Sequence, residues 1–396
     1  MALVEIKPGI FWIGVDDRTT DLFEGIWPIT DVGIVNNSYF INDEKKMVID
    51  SAKAFQIDSF IQNVQKAAPP SEIDYVVINH MEPDHSGAFE ALFRAAPKAV
   101  FLGTRRIVDL LREFYGITDR VRTVVSGETI PLGKRTVEFI ETPMIHWPET
   151  MMTYETGDRI LFSGDGFGGY GSLGDTIFDD TCTDIDFYLA ESLRYYTNVV
   201  AKFSNMVTKG IAKLESRDIG IVAPAHGLIW RSEPARIIDL YRKWAECAEG
   251  KTERAITVIH STMYGNTALM LREVTAALKE MGVPFDAFDV SRTHSSYILP
   301  SLWTKTGVIV AAPTYEGSLF PPMVYALDMA EIKGIRNKKV FRFGSYGWSG
   351  GAQKKFEGAA ERMGWEVFGS YEFIGRPTPE DIEKCRSSVK EFAESL

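Results

Sequence analysis

His80-Met81-Glu82-Pro83-Asp84-His85 puts four metal-competent side chains within six residues, directly after the apolar run Tyr75-Val76-Val77-Ile78. Such a run reads as a buried strand, so the loop leaving it begins at the protein interior. Carboxylates packed together there repel and raise one another's pKa, whereas a multivalent cation reverses that logic. The plain alternative is a solvated polar turn.

Three later stretches repeat the same grammar of an apolar strand followed by one ligand-type residue. They are Thr142-Pro143-Met144-Ile145-His146-Trp147-Pro148, Leu161-Phe162-Ser163-Gly164-Asp165-Gly166 and Ile221-Val222-Ala223-Pro224-Ala225-His226-Gly227. A lone histidine of this kind is more often a satisfied structural residue; a repeated pattern favours a metal. Of the six histidines in the chain, His260 and His294 fit no ligand pattern and read as structural or surface residues.

Around these stretches the chain divides into two rhythms. Up to about residue 250, short β runs are broken by Gly, Pro, Asp and Asn. Strands are expected at Val32 to Tyr39, Lys46 to Ile49, Tyr75 to Asn79 and Thr136 to Glu141, and helices at Ala88 to Ala96 and Arg106 to Tyr115. This predicts a sheet-rich α/β domain over residues 1–250 with its functional residues on loops after strands. A helix from Glu233 to Ala248 closes it. The polar run Glu249-Gly250-Lys251-Thr252-Glu253 reads as a linker.

Residues 251–396 alternate strand and helix regularly. Strands are expected at Ile256 to His260, Phe285 to Val290, Gly307 to Ala312, Lys339 to Phe343 and Glu366 to Gly369, with helices at Asn266 to Met281 and Pro379 to Ser395. That alternation predicts a doubly wound parallel sheet. After its first strand comes Ser261-Thr262-Met263-Tyr264-Gly265-Asn266-Thr267, opening a helix. Hydroxyls and bare amides at a helix start bind phosphate. Without a Walker lysine or a G-x-G-x-x-G, a single phosphate such as that of FMN fits better than a triphosphate or dinucleotide. Two further loops leave later strands: Pro313-Thr314-Tyr315-Glu316-Gly317 and Ser345-Tyr346-Gly347-Trp348-Ser349-Gly350-Gly351. Aromatics on each side of the phosphate cradle suit a flat ring, and the glycines let backbone amides reach its edge.

The H-x-[EH]-x-D-H pattern with downstream His, Asp and His resembles the metallo-β-lactamase fold, and Glu82, where hydrolytic members carry histidine, resembles the flavodiiron proteins. The three loops of the second half resemble the FMN-binding loops of flavodoxins, with Trp348 beside the ring. The resemblance covers essentially the whole chain. It implies an N-terminal metallo-β-lactamase-like αββα sandwich followed by a C-terminal flavodoxin-like doubly wound sheet. It further implies one iron on His80, Glu82 and His146, a second on Asp84, His85 and His226, and Asp165 bridging them. Exchanging imidazole for Glu82 adds negative charge and a hard oxygen donor, which favours ferric iron and redox cycling.

The activity so implied is reduction of O2 to water, of NO to N2O, or both, with electrons passing from an external donor to FMN and on to the diiron site. No rubredoxin-like pair of C-x-x-C motifs is present, so the donor is expected to be a separate rubredoxin-type protein or a reduced deazaflavin. Relatives solve the separation of the two cofactors by head-to-tail dimerisation, so a homodimer or a dimer of dimers is expected. The alternatives are a dizinc hydrolase of thioesters or phosphodiesters with an appended flavodoxin domain, and a flavodoxin-type carrier whose first half has lost its metal. The chain departs from the commoner family pattern at Glu24, Asn36, Gly166 and the stretch Gly168 to Gly171. These positions bear on the pocket rim and on substrate preference.

Composition sets outer bounds. The 396 residues, 45% hydrophobic and 24% charged, suit a globular protein of two or three domains. A net charge of -11 makes nucleic acid an unsuitable partner. Three scattered cysteines exclude a disulfide framework within the chain. No apolar run spans a bilayer and no leader-like start is visible, so the cytoplasm is the expected compartment.

Overall fold

The computed structural model describes residues 3–174 and 176–396. Two compact units divide the chain, Met1–Ala245 and Glu246–Leu396. Between the 3-10 turn Cys247–Glu249 and the strand that starts at Glu253, only residues 250–252 lie outside regular structure.

The first unit is built on two main sheets. One has seven strands in the order β1 (Val4–Lys7), β2 (Ile10–Trp12), β3 (Tyr39–Asn42), β4 (Lys46–Ile49), β5 (Ile73–Val77), β6 (Val100–Gly103) and β7 (Val121–Thr123). Its strands are antiparallel up to β4 and parallel from β4 to β7. The crossovers of the parallel half carry the helices Ile57–Ala67, Phe89–Ala95 and Arg105–Tyr115, as parallel pairing requires. The last of these starts on Thr104, whose hydroxyl accepts from the Ile107 amide, and stops at Gly116 with φ +66°. This is a side-chain cap at one end and a left-handed glycine at the other.

The second sheet runs β8 (Thr129–Pro131), β9 (Thr136–Glu141), β10 (Met151–Glu155), β11 (Ile160–Phe162) and β12 (Ile221–Ala223). Both β9 and β11 are antiparallel to β10, and β12 is parallel to β11. The carboxyl ends of β9, β11 and β12 therefore lie along one edge. The loops holding His146, Asp165 and His226 leave from that edge.

One expectation needs correction. Val32 to Tyr39 is not a single strand: Ile34–Asn36 pairs with Val15–Asp17, and the chain then breaks at Asn37 and Ser38 before entering β3. The break has a cause in hydrogen bonding. The Asn37 amide donates to the Ala225 carbonyl at 2.7 Å, and its side chain donates to Pro224 and Gly227 at 2.9 and 3.0 Å. Two ladder positions are given up to tie the first sheet to the loop carrying His226.

The second unit holds a five-stranded, wholly parallel sheet in the order β14 (Phe285–Asp289), β13 (Glu253–His260), β15 (Lys305–Ala311), β16 (Lys339–Tyr346) and β17 (Glu366–Ile374). Val258, Ile309, Phe341 and Phe343 pack with Met270 and Val274 of the helix Asn266–Glu280 and with Val389 and Phe392 of the helix Pro379–Glu394. Each such fully buried side chain contributes roughly 1.5–3 kcal/mol by leaving water. The last strands outrun the expectation, because β16 continues through Ser345 and Tyr346, paired with Phe373 and Ile374. Those two residues belong to the strand end rather than to the following loop.

Candidate metal centre

Asn79, the residue before His80, joins the two sheets. Its amide and side chain donate to the two carboxylate oxygens of Asp50 at 2.7 and 3.1 Å, its carbonyl accepts from Met151, and its Oδ1 accepts from Thr153. Asp50 follows β4, so strands of both sheets are pinned at the point where the His80 loop departs. The loop then turns through the short helix Pro83–Ser86, and Ser51 holds the His85 carbonyl through its amide and its hydroxyl, at 2.9 and 2.6 Å.

This folding brings all seven of the candidate ligand residues together in two groups, His80, Glu82, His146 and Asp165 in one, Asp84, His85 and His226 in the other. Around Asp165 Oδ2, the Nε2 atoms of His80 and His146 stand at 3.3 and 3.2 Å, and Glu82 Oε2 lies 3.2 and 2.8 Å from the same two nitrogens. Around Asp165 Oδ1, the Nε2 atoms of His85 and His226 stand at 3.0 and 3.5 Å, and Asp84 Oδ2 lies 3.4 and 3.1 Å from them. One carboxylate thus gives one oxygen to each cluster. Donors about 2.1 Å from a common metal are ~3.0 Å apart at right angles and ~3.4 Å apart at tetrahedral angles. The spacings observed fit a cation at the centre of each cluster.

The remaining ring nitrogens set which atom faces inward. His80 Nδ1 is 2.8 Å from Glu149 Oε1, and His226 Nδ1 is 2.7 Å from the Val35 carbonyl oxygen. A backbone carbonyl accepts only, so His226 Nδ1 carries a hydrogen and it is Nε2 that faces Asp84 and Asp165. Both carboxylate oxygens of Asp84 and of Asp165 are buried without a hydrogen-bond donor in the fold, as is His226 Nε2. Buried acceptors left in that state are expensive, and a metal satisfies them together.

Electrostatics point the same way. Burial alone pushes the imidazolium of His80 down, but hydrogen bonds to Glu149 and Glu82 and the charge of Asp165 outweigh it and raise its pKa to about 9. For His85 the charges of Asp84 and Asp165 overcome burial and raise it to about 10. Burial opposes the ionised forms of Asp84 and Asp165, yet the facing histidines hold both carboxyls below the ordinary carboxylate range. Without metal, protons occupy the cage.

Metal uptake must then displace protons. Against burial, hydrogen bonds to Asp165 and Glu82 likewise raise His146 well above its ordinary value. Near pH 7.5, Zn2+ or Fe2+ binding is therefore expected to release about three protons from His80, His85 and His146, and affinity should climb about tenfold per pH unit for each proton displaced. The sign for the metal-free fold is opposite. A raised folded-state pKa adds stability that is complete below about 6.5 and fades as pH rises through about 9 and 10. Metal titration in weak buffer with a pH indicator measures the proton count; a count of zero would contradict this picture.

Glu149 went unnoticed in the sequence. It lies 69 positions from His80, and nothing in Trp147-Pro148-Glu149 marks it as that residue's partner. Its side chain is fully buried, and it also accepts from the Met81 amide at 3.2 Å. Outer partners of this kind orient the ligand and raise its basicity. Glu149→Gln is expected to weaken metal binding about 10- to 100-fold with the fold intact, measured by competition with a chelator. Tyr195 was also missed: it is fully buried, 5.7 Å between ring centroids from His226.

A cavity of about 430 Å³ opens beside the cage, lined by Leu22, Phe23, Glu24, Lys53, Phe55, Glu82 and Asp84 among others. Of the positions where the chain departs from the resembled pattern, Glu24 is on this wall, its carboxylate accepting from Trp27 Nε1 at 2.8 Å. Asn36 is fully buried, and its side-chain amide donates to Gln56 at 3.0 Å. A Cβ on Gly169 would crowd Ser192, 2.5 Å from its Oγ and 3.0 Å from its Cα. His260 and His294 belong to neither cluster; His294 Nδ1 caps the helix Ser295–Thr304.

In the second unit the three candidate loops leave β13, β15 and β16, which are neighbours in the sheet and parallel, so they emerge at one edge. Thr267 and Ser345 share a hydrogen bond of 3.0 Å, joining the first stretch to the third. A Cβ on Gly351 would stand 2.1 Å from the Gly317 carbonyl oxygen, so the second and third loops touch backbone to backbone. Pro313 to Gly317 is a tight hairpin rather than an open loop: Thr314–Tyr315 pairs with Ser318–Leu319 across Glu316 and Gly317, both at positive φ, the conformation such two-residue turns require. The hydroxyls of Ser261 and Thr314 are buried without partners, while Tyr264 and Trp348 are 87% and 89% exposed. Unsatisfied hydroxyls beside a helix start, flanked by bare aromatic rings, suit a phosphate-bearing flat ligand.

Residues 34–227 match the family profile described as ODP family beta lactamase, and residues 258–388 match that of flavodoxin. The chain is 33% identical to a nitric oxide reductase of Moorella thermoacetica, covering 98% of each. It is 32% identical to an anaerobic nitric oxide reductase flavorubredoxin of Escherichia coli, covering 98% of this chain and 82% of that one. Among solved structures, the rubredoxin oxygen:oxidoreductase of Desulfovibrio gigas superimposes with a TM-score of 0.93 at 26% identity, covering 99% of this chain and 98% of that one. The flavodiiron protein of Giardia intestinalis superimposes with 0.92 at 26%, covering 100% and 98%.

Proposed function

The chain belongs to the flavodiiron protein family, and on that premise we propose that it reduces dioxygen, nitric oxide or both at two irons, fed by FMN. The observation that carries the reading is the paired cluster around Asp165, with a carboxylate, Glu82, among the donors of one half. His80, Glu82 and His146 would hold one iron, Asp84, His85 and His226 the other, with Asp165 shared. Two irons so held would supply stored electrons and a Lewis-acidic place for a small diatomic.

The chain's own groups prepare that chemistry. Leu22, Phe23 and Phe55 give the adjoining cavity an apolar wall suited to an uncharged gas. Either reduction consumes protons, and Glu24 is the carboxyl on that wall outside the ligand set. Ser261, Thr262, Gly265, Asn266 and Thr267 would take the FMN phosphate, with Met263 and Tyr264 on the same turn. Pro313 to Gly317 and Ser345 to Gly350 would flank the ring. The hydrolase alternative recedes, because the relatives are named as reductases.

A separate rubredoxin-type protein is the proposed electron donor, in keeping with the name of the Desulfovibrio gigas relative. No helix among the described residues is long and apolar enough to cross a membrane, and action in the cytoplasm is part of the proposal. So is a head-to-tail dimer; sedimentation of fully active protein as a monomer would remove it. The deciding experiment determines iron and FMN, then assays the reduced protein anaerobically against each gas. Iron-loaded, flavin-loaded protein that consumes neither O2 nor NO would refute the function.

A further inference from the structure

Within the core strand Val340-Phe341-Arg342-Phe343 sits an arginine with no solvent exposure. Its Nη1 pairs with Glu372 on β17 and reaches Gln353 at 3.4 Å, and its Nη2 donates to the Ala312 carbonyl at 3.1 Å. Its Nε has no partner. Burial works against the guanidinium charge, and Glu372 counters it. A buried ion pair of this sort is seldom worth more to stability than apolar residues of the same volume. Its reason is better sought in what it positions.

Two partners of Arg342 lie at the roots of ring-flanking loops, and the third, Glu372 on the neighbouring strand, stands against Gly350. Ala312 immediately precedes Pro313 to Gly317. Gln353 stands at the start of the helix Ala352–Met363, directly after Gly350 and Gly351. Glu372 Oε2 would be 3.4 Å from a Cβ on Gly350. The strand makes room for the clamp at Gly344, where a Cβ would fall 1.8 Å from the Ala312 oxygen and 3.1 Å from Arg342 Nη2. We infer that Arg342 is a positioning residue for the flavin ring: its planar fork fixes the bases of both loops from inside the sheet and so sets how tightly the ring is gripped and at what potential it accepts electrons. The inference rests on reading these loops as the FMN site. A lysine keeps the charge but not the divergent pair of donors, so geometry and charge can be separated.

The test uses the full-length protein, stripped of flavin and titrated with FMN by fluorescence quenching. Arg342→Lys and Arg342→Met are both expected to raise the FMN Kd at least tenfold while iron content stays unchanged. The two-electron midpoint potential of the reconstituted variants should move as well. If oxidised and reduced flavin lose affinity unequally by tenfold, the shift is about 30 mV. Gln353→Met, at the half-buried end of the clamp, should move the same quantities by a smaller factor and reports even where an Arg342 variant fails to fold. An ion pair that merely stabilises the fold would lower the melting temperature of flavin-free protein but leave Kd and potential of the folded fraction within twofold of the parent, and that result overturns the inference. Failure of the unsubstituted protein to bind FMN would overturn the flavin reading itself, and this inference with it.

Discussion

The Asp165→Asn protein is expected to fold and to bind FMN, yet to carry almost no iron. Asparagine is nearly isosteric, so the loop after β11 keeps its shape. What changes is chemistry at two places at once, because Oδ2 faces His80 and His146 while Oδ1 faces His85 and His226. The amide nitrogen turns a donor hydrogen toward one metal position, and the remaining oxygen has lost its charge. Two cations held in adjoining clusters would repel strongly, and the carboxylate of Asp165, which faces both, would screen them. Iron should fall from about two per chain to below ~0.5, because ligands that must be deprotonated revert to holding protons. Gas consumption should fall ~1000-fold, about 4 kcal/mol of barrier. Elemental analysis and anaerobic turnover check both; two retained irons with ordinary turnover would show that Asp165 is not shared.

The second large effect concerns metal identity. In Glu82→His the cluster with His80 and His146 gains a third imidazole in place of a carboxylate that stands 2.8 Å from His146 Nε2. Neutral imidazoles suit zinc, whereas the added negative charge of a carboxylate favours the higher oxidation state of iron. The variant, expressed with both metals supplied, is expected to shift from iron toward zinc at that position and to lose reductase turnover about 100-fold, ~2.7 kcal/mol. Iron content and turnover equal to the parent's would show that Glu82 does not govern the choice. The two variants separate two ideas, since one removes the bridge and the other keeps the cage but alters its redox character.

Much of this was legible because local chemistry and local structure coincide. His80, Glu82, Asp84 and His85 lie within one stretch of six residues, and a loop after a buried strand cannot leave them uncompensated. The parallel sheet of the second unit was legible too, because apolar runs such as Val308-Ile309-Val310-Ala311 alternate with helices at regular intervals. Less visible was anything depending on a partner far along the chain. Val32 to Tyr39 reads as one strand until Asn37 is found bonded to Ala225 and Pro224. Arg342 reads as an ordinary strand residue until Glu372 and Ala312 converge on it.

By itself the sequence determined the chemical types brought together around Asp165, the order of the two units and the hydroxyl-rich turn that opens the first helix of the second unit, since each depends on residues close together or on a repeated pattern. Only the tertiary structure decided that the two oxygens of Asp165 face opposite clusters, that Glu149 holds His80, and that one arginine reaches the roots of two loops. Those relations arise where strands and strand ends far apart in the chain become neighbours, and no spacing along a chain encodes the distance between them.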